Sequence, residues 1–509
     1  MARAKRRMQV AGDGAGDSIW WTTTALPAFP PLQDDLSADC VVAGGGLTGL
    51  ALAARLAAGG QRVVLVERRR LGSGTTGAST AHLTSALDTP WDEIVSRFGA
   101  PLARRVAESV TAAIDAIECE AHRTGCADRF ARVPGHRLAE SAAEVEALER
   151  EAAAARELGL AVVPVRHVPA PFRAKLALRF EAQAEVDPLA LLGGLVRTFV
   201  ELGGRIFEES PVVDVDDEGL TVASGARVRA AAIVHATHTP IGIAASVQAR
   251  LVPFLSYVVA ARLRRPLASG LFWDCQDPYH YVRGVAPDRR LVLVGGADHR
   301  LGACDDATER FASLERWARA QLDVEGFDAR WSAELFETSD GLPYIGAVPG
   351  SRTQLVAAGF AGTGITFGVV AAMLLSDVLL HGRSPWQDAY RPSRIGPLDG
   401  IARAARENLE SVWHVIADRW RFEPSRALVD LGVDSGRLVR IEGRRCAVYR
   451  DLEGGLHFLS PRCTHMGCTV RWNDHEKTWD CPCHGGRFHR TGKVLYGPPT
   501  RDLERLLGD

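Results

Sequence analysis

The sequence predicts an α/β chain that ends in a small all-β module. Short β-branched runs alternate with Ala- and Leu-rich helical patterns from Asp39 to about Leu380, which is the signature of an α/β domain. A glycine-rich turn joins the first of those runs to the first of those helices. Beyond about Ala427 the pattern becomes alternating strands, such as Leu438 to Tyr449, and Gly, Pro, Cys and His crowd together. A length of 509 residues leaves room for several domains at roughly 150 residues each. Hydrophobic residues at 46%, charged residues at 24% and only 26 prolines give a globular composition, against long disordered stretches.

In chain order, Met1 to Arg7 is basic and leads into Gly-rich polar sequence rather than an apolar run, so it reads as a disordered tail and not a secretory signal. Trp20 and Trp21 read as core-packing residues on an N-terminal arm within residues 1–36. Glu108 to Leu160 is Ala- and Glu-rich with helical spacing and predicts two or three exposed helices; Ala230 to Ala236 and Leu291 to Gly295 predict buried strands. The most apolar stretches, Leu251 to Leu263 and Gly368 to Leu380, are short and carry Arg262, Ser376 and Asp377, whereas a membrane span needs about 20 apolar residues. No integral membrane segment is expected, and the chain reads as cytoplasmic. His381 to Pro385 and Arg391-Pro392-Ser393 are breakers, followed by an amphipathic helix from about Ile401 to Trp420 that serves as a linker over 396–426. Sixty Lys and Arg against 62 Asp and Glu leave a net charge of -2, so no global field favours nucleic acid or an anionic membrane.

Residues 39–50 read Asp-Cys-Val-Val-Ala-Gly-Gly-Gly-Leu-Thr-Gly-Leu, which puts Gly44, Gly46 and Gly49 in G-x-G-x-x-G register between a strand and the helix Leu50 to Ala58. The first glycine permits the tight turn, the second lets backbone approach a pyrophosphate, and the third lets helix and strand pack closely. A second strand, Arg62 to Val66, ends in Glu67, 21 residues beyond Gly46. That is the place of a carboxylate accepting hydrogen bonds from a ribose. The motif by itself admits NAD or FAD.

Downstream segments separate the two. Leu71 to His82 is a small-residue stretch, followed by Val186-Asp187-Pro188, Val234 to Pro240, Asp340-Gly341-Leu342-Pro343-Tyr344-Ile345-Gly346 and Gly359 to Gly368. Over roughly residues 18–390 this resembles the D-amino-acid-oxidase/glycine-oxidase class of FAD flavoproteins. The resemblance implies a Rossmann-type, glutathione-reductase-like FAD domain with an interleaved α+β substrate domain, together spanning 37–395. The FAD part would take about 37–90, 185–240 and 335–382, and the substrate part about 91–184 and 241–334. It also implies cofactor contacts at Gly44, Gly46, Gly49, Glu67, Thr75, Thr76, Val213, Thr237, Gly341, Gly362, Thr363, Gly364 and Ile365. In that class an Arg near Tyr279 to Arg283 grips the substrate carboxylate, so Arg283 is the candidate clamp, with Tyr281 or His280 lining the pocket. An Arg on such a strand also serves as a surface ion pair. His82 and His299 are expected to face the flavin, His82 either covalently linked or in a hydrogen-bonded packing role.

Four of the ten cysteines fall between 463 and 483. Cys463-x-His465, fifteen intervening residues, then Cys481-x-x-His484 supplies two thiolates and two imidazoles. Tetrahedral zinc accepts that set, and so does a [2Fe–2S] centre with two Cys on one iron and two His on the other. The full pattern, Cys-Thr-His-Met-Gly-Cys and then Cys-Pro-Cys-His-Gly, resembles a Rieske domain, which the resemblance places over 427–509 with ligands Cys463, His465, Cys481 and His484. It also implies a disulfide between the left-over Cys468 and Cys483.

Neutral imidazoles leave such a cluster less negative than an all-thiolate one, so it accepts an electron more readily. Where the most oxidising respiratory Rieske proteins continue His-Gly-Ser-x-Tyr, this chain reads His484-Gly485-Gly486-Arg487-Phe488 and lacks both hydroxyls. The combination resembles a group of bacterial fusion flavoproteins. It implies an FAD-dependent oxidoreductase that oxidises a C–N bond of a small amine or amino acid. Electrons would then pass through the Rieske cluster to an external acceptor. A non-catalytic carrier or redox sensor, and a reductase fed by a donor protein through the cluster, are the alternatives. A mononuclear-iron oxygenase site is not expected, because no facial-triad segment follows the cluster.

Overall fold

A computed structural model describes residues 18–242, 245–301, 307–394 and 422–506. The expected tail over 1–17 and the linker helix from Ile401 to Trp420 lie outside the described residues.

Five parallel strands form the heart of the first sheet, in the spatial order Gln354–Ala358, Arg227–His235, Leu36–Ala43, Val63–Val66 and Arg205–Phe207. Val63–Val66 is buried at every position, as expected for a parallel strand covered on both faces. Helix Leu47–Ala58 follows the glycine turn and begins three residues earlier than its apolar pattern suggests. Helix Pro188–Glu201 explains the Val186-Asp187-Pro188 segment locally. The Asp187 carboxylate accepts from the backbone N–H groups of Leu189 and Ala190, each at 3.0 Å, and Pro188 occupies the first turn. Gly368 to Leu380 becomes part of helix Gly364–His381, which packs on Leu47–Ala58 and on the long helix Ala100–Arg123. Ala361–His381 is long and apolar enough to cross a membrane by length and composition, but most of it is buried inside the fold.

The second sheet has nine strands and is largely antiparallel. It takes His82–Leu83, Phe130–Ala139, Leu176–Val186, Leu251–Leu263, His280–Gly284, Leu291–Arg300 and Val324–Thr338 among others, so the two sheets draw alternately on the chain. The Ala-rich stretch from Glu108 to Leu160 is not purely helical. Helices Ala100–Arg123 and Ala142–Glu157 are separated by strand Phe130–Ala139, and the long helix buries Val106, Val110, Ile114 and Ile117 at three- and four-residue spacing.

The C-terminal module consists of two four-stranded sheets. Leu438 to Tyr449 is not one strand but the hairpin Ser435–Ile441 and Arg444–Arg450. Glu442 and Gly443 both adopt positive φ, 48° and 81°, the conformation of a two-residue hairpin turn. The module sits directly on the two-sheet lobe. Strand Val324–Thr338 carries Ser332, whose hydroxyl donates to Glu476 of the module. Arg487, only 1% exposed, pairs with Glu476 and with Asp480, the latter at 3.0 Å. The Arg69 guanidinium lies 5.0 Å from the Tyr496 ring centre.

Candidate active site: a dinucleotide cavity beside a Cys/His centre

A cavity of about 760 Å³ opens where the glycine turn, the second sheet and the C-terminal module meet. Gly44 has φ +113°, and a Cβ there would stand 2.3 Å from the Ala236 carbonyl oxygen. A Cβ on Gly49 would meet the Gly44 carbonyl at 2.0 Å. These two glycines therefore let helix and strand close on each other, whereas Gly46 borders the cavity and a Cβ there meets only Thr76 Oγ1, at 3.0 Å. Gly46 has no side chain with which to cap helix Leu47–Ala58, and the Leu47 N–H donates to Thr76 Oγ1 at 3.0 Å; the helix N-terminus borders the cavity as an anion site. Glu67 accepts from the Gly45 N–H at 2.7 Å and the Arg69 N–H at 2.9 Å. Those bonds orient the carboxylate at the cavity wall and leave it lone pairs for ribose hydroxyls. This cradle fits a dinucleotide.

The cavity wall includes Gly44, Gly46, Glu67, Thr75, Thr76, Thr237, Gly362, Thr363, Gly364 and Ile365. Three expected contacts are placed elsewhere. Gly49 serves packing. Val212 and not Val213 lines the cavity, because successive side chains of strand Val212–Asp216 point to opposite faces. Gly341 (φ +86°) shapes a turn against Thr89, held by the buried pair of Arg394 and Asp340, with both contacts at 2.7 Å.

Among the substrate candidates, Tyr281 faces the cavity, with its hydroxyl 3.0 Å from Ser256 Oγ and its ring edge-on to His82 at 5.5 Å. Arg283 and His280 do not. The Arg283 guanidinium donates to the carbonyls of Ala81 at 2.9 Å and Val186 at 3.2 Å and lies over the Trp20 ring. Burial lowers its pKa to about 10. It is a buried strut joining the arm to Ala81 and to the end of strand Leu176–Val186, away from the cavity wall and from the surface, with two of its nitrogens on carbonyls and its face on the indole. His280 bonds Asp274 at 2.8 Å and stacks on Trp317. His299 is turned towards Tyr257, with their polar atoms 3.0 Å apart. His82 lines the cavity, and burial, reinforced by Arg283, lowers it to about 3, so it is neutral.

The sequence reading missed several groups. Asp88 accepts from the Gly362 N–H at 2.7 Å, and its carboxyl is pushed up by burial. Tyr279 and His238 line the cavity, as do Leu495, Tyr496 and Gly497 from the module. Tyr279 and His238 stand beside the expected Tyr281 and Thr237 in segments the sequence already singled out, whereas no local pattern announces Asp88, Leu495 or Tyr496.

In the module, Cys463 and Cys481 are buried, and their sulfurs are close enough to hydrogen bond. That contact holds Cys463 below the usual thiol range and Cys481 above it; backbone N–H groups of His465 and Met466 point at Cys463, and those of Cys483 and His484 at Cys481. Such N–H groups stabilise anionic sulfur. The His465 and His484 rings lie 5.0 Å apart and perpendicular. Burial lowers both below the ordinary histidine range, His465 to about 4, which is the neutral, metal-binding form. His484 Nδ1 is buried without a hydrogen-bond partner. Cys468 and Cys483 form a disulfide across the two loops, with Cα atoms 6.6 Å apart. Their sulfurs also lie within 4.8 Å of Cys481, but as a disulfide they offer no thiolate, so the donor set is Cys463, Cys481, His465 and His484. It fits a two-thiolate, two-imidazole diiron group. Gly486 is tight: a Cβ there would stand 2.9 Å from Pro499 and 3.4 Å from Cys463 Sγ. With no hydroxyl at 486 or 488, the reduction potential should fall below that of the respiratory Rieske centres. A redox titration of the holoprotein followed by EPR checks this, and a midpoint among the respiratory values contradicts it.

Between cavity and module lies Glu334, 3% exposed, with neither carboxyl oxygen hydrogen-bonded. Burial raises its pKa well above 4.5, Arg487 opposes that, and Asp480 and Glu476 add to it. A carboxyl raised on folding contributes stability that declines as pH climbs from the unfolded value towards the folded one. Glu334→Gln should therefore gain thermal stability over the parent, and the gain should be larger at pH 8 than at pH 5. Calorimetry showing the same difference at both pH values would contradict the assignment.

A two-sheet oxidoreductase fold with a dinucleotide cradle, closed by a module with a Cys₂His₂ centre, defines a flavoprotein carrying its own iron–sulfur domain. Residues 39–378 match the FAD dependent oxidoreductase family and 428–506 the Rieske [2Fe-2S] domain, and the chain belongs to the first and carries the second. Its cofactors are FAD and a [2Fe–2S] cluster. It is 32% identical over 500 residues to the putative Rieske 2Fe-2S iron-sulfur protein YhfW of Bacillus subtilis, covering 97% of this chain and 98% of that one. It is 26% identical to the gamma-glutamylputrescine oxidoreductase of Escherichia coli, covering 71% and 88%. Glycine oxidase from Geobacillus kaustophilus superposes with a TM-score of 0.60 at 24% identity, covering 71% of this chain and 99% of that one.

Proposed function

We propose that this oxidoreductase oxidises a C–N bond of a small amine or amino acid and passes the electrons through the Rieske cluster to an external acceptor. When bound, FAD supplies hydride acceptance and the cluster supplies one-electron transfer. One observation carries the reading: the module closes the flavin cavity with Leu495 to Gly497 and sets the cluster ligand His465 against the lobe through Gln248, at 3.1 Å. The relatives named for gamma-glutamylputrescine and glycine oxidation support the C–N chemistry.

The chain's own part is placement. Tyr281 and neutral His82 present an uncharged polar wall, and burial raises the Tyr281 hydroxyl above its ordinary range. Such a wall favours the neutral amine that gives up hydride. With Arg283 committed to backbone carbonyls, and with Arg137 held by Glu151 and the Leu87 carbonyl, positioning falls to Tyr281, Tyr279 and Asp88. The domain division follows the same reading: flavoprotein over 37–395, linker over 396–426 and Rieske module over 427–509. The test is anaerobic mixing with a panel of amines and amino acids. Flavin bleaching followed by a reduced-cluster EPR signal supports the reading. Silence across the panel, with the flavin reduced only by a donor acting through the cluster, reverses the direction of flow.

A further inference from the structure

Gln248 links the two halves of the molecule. It is 5% exposed, and its Oε1 stands 3.1 Å from His465 Nε2, while its Nε2 donates to the Pro240 carbonyl. Pro240 closes the segment Thr237-His238-Thr239, of which Thr237 and His238 line the flavin cavity. The donor–acceptor logic fixes the orientation. A carbonyl accepts only, so the amide nitrogen must face Pro240 and the amide oxygen must face the imidazole. The oxygen can only accept, so His465 must carry its proton on Nε2 and keep the Nδ1 lone pair for iron. His484, whose Nδ1 has no protein partner, presents the same nitrogen.

We propose that Gln248 is a positioning residue for the Rieske centre: it fixes the metal-binding tautomer of His465 and bonds the cluster edge to the flavin wall. The inference rests on the proposed flavin-to-cluster electron flow for its kinetic part only; the tautomer part is independent of it. In that step reduced flavin gives up one electron and the diiron centre gains it.

The experiment uses the holoprotein with both cofactors loaded. Flavin is photoreduced with a sacrificial donor, without any amine substrate, and cluster reduction is followed optically. In parallel, the exchangeable imidazole proton of the reduced cluster is read by ENDOR. Gln248→Leu should slow cluster reduction by at least about tenfold, the lower end of what losing an outer partner of a metal ligand costs, and should change the Nε2-proton coupling. Gln248→Glu keeps an acceptor for His465 and should retain the coupling. If Gln248→Leu fails to hold both cofactors, Gln248→Glu decides alone, and an altered coupling there overturns the proposal. An unchanged rate and coupling in Gln248→Leu also overturns it. If the parent itself transfers no electron while the coupling still depends on Gln248, the electron-flow reading falls and the positioning role stands.

Discussion

Cys481→Ser should empty the module of iron and acid-labile sulfide while the flavin stays bound. Cys481 is fully enclosed, its sulfur touches that of Cys463, and two backbone N–H groups converge on it. Serine keeps the volume but replaces a thiolate donor with a hydroxyl that ionises far less readily, and iron–sulfur clusters depend on thiolate. Loss of a direct ligand should exceed the roughly 10–100-fold loss in metal affinity typical of an outer partner. The measurement is iron, sulfide and flavin per chain with EPR after dithionite reduction. Cluster content equal to the parent would sink the ligand assignment. Substrate-driven flavin bleaching should survive in this variant, and one-electron delivery to an acceptor should not.

Gly46→Val should abolish FAD binding without unfolding the protein. A Cβ at Gly46 meets only the Thr76 hydroxyl, at 3.0 Å, so the backbone tolerates it. The added methyl groups would fill the space at the N-terminus of helix Leu47–Ala58, where a pyrophosphate has to approach the backbone. Gly44→Ala is the contrasting variant. Its Cβ would stand 2.3 Å from a backbone oxygen at a φ of +113°, so it should lower the melting temperature as well as flavin content. Flavin absorbance per chain together with circular dichroism separates the two. Gly46→Val that retains stoichiometric flavin would contradict the site.

Where function depended on short segments, the sequence was legible. Gly44, Gly46 and Glu67 lie within one strand–turn–helix–strand unit, and their chemistry follows from spacing. The four candidate cluster ligands likewise occupy two short loops. The substrate wall was not legible in the same way. Arg283 and Tyr281 are two residues apart on strand His280–Gly284, and alternation would place them on one face. Only the contacts show that the arginine has been taken by Ala81, Val186 and Trp20, from segments about 200 residues away or more in the first and last cases. The hairpin within Leu438 to Tyr449 escaped because both halves share one alternating pattern, and Glu442 at positive φ carries no compositional signal.

The amino-acid sequence pointed to the two cofactors through the resemblance its motifs carry, and to the glycine turn and the Cys/His set as their candidate cradles, because glycine clearance and thiolate–imidazole chemistry are local properties of a few neighbouring residues. The tertiary structure alone decided that the module closes the flavin cavity, that Gln248 meets His465 and that Glu334 is buried between the halves. Those relations join positions far apart in the chain, and they exist only once burial has brought separate segments face to face.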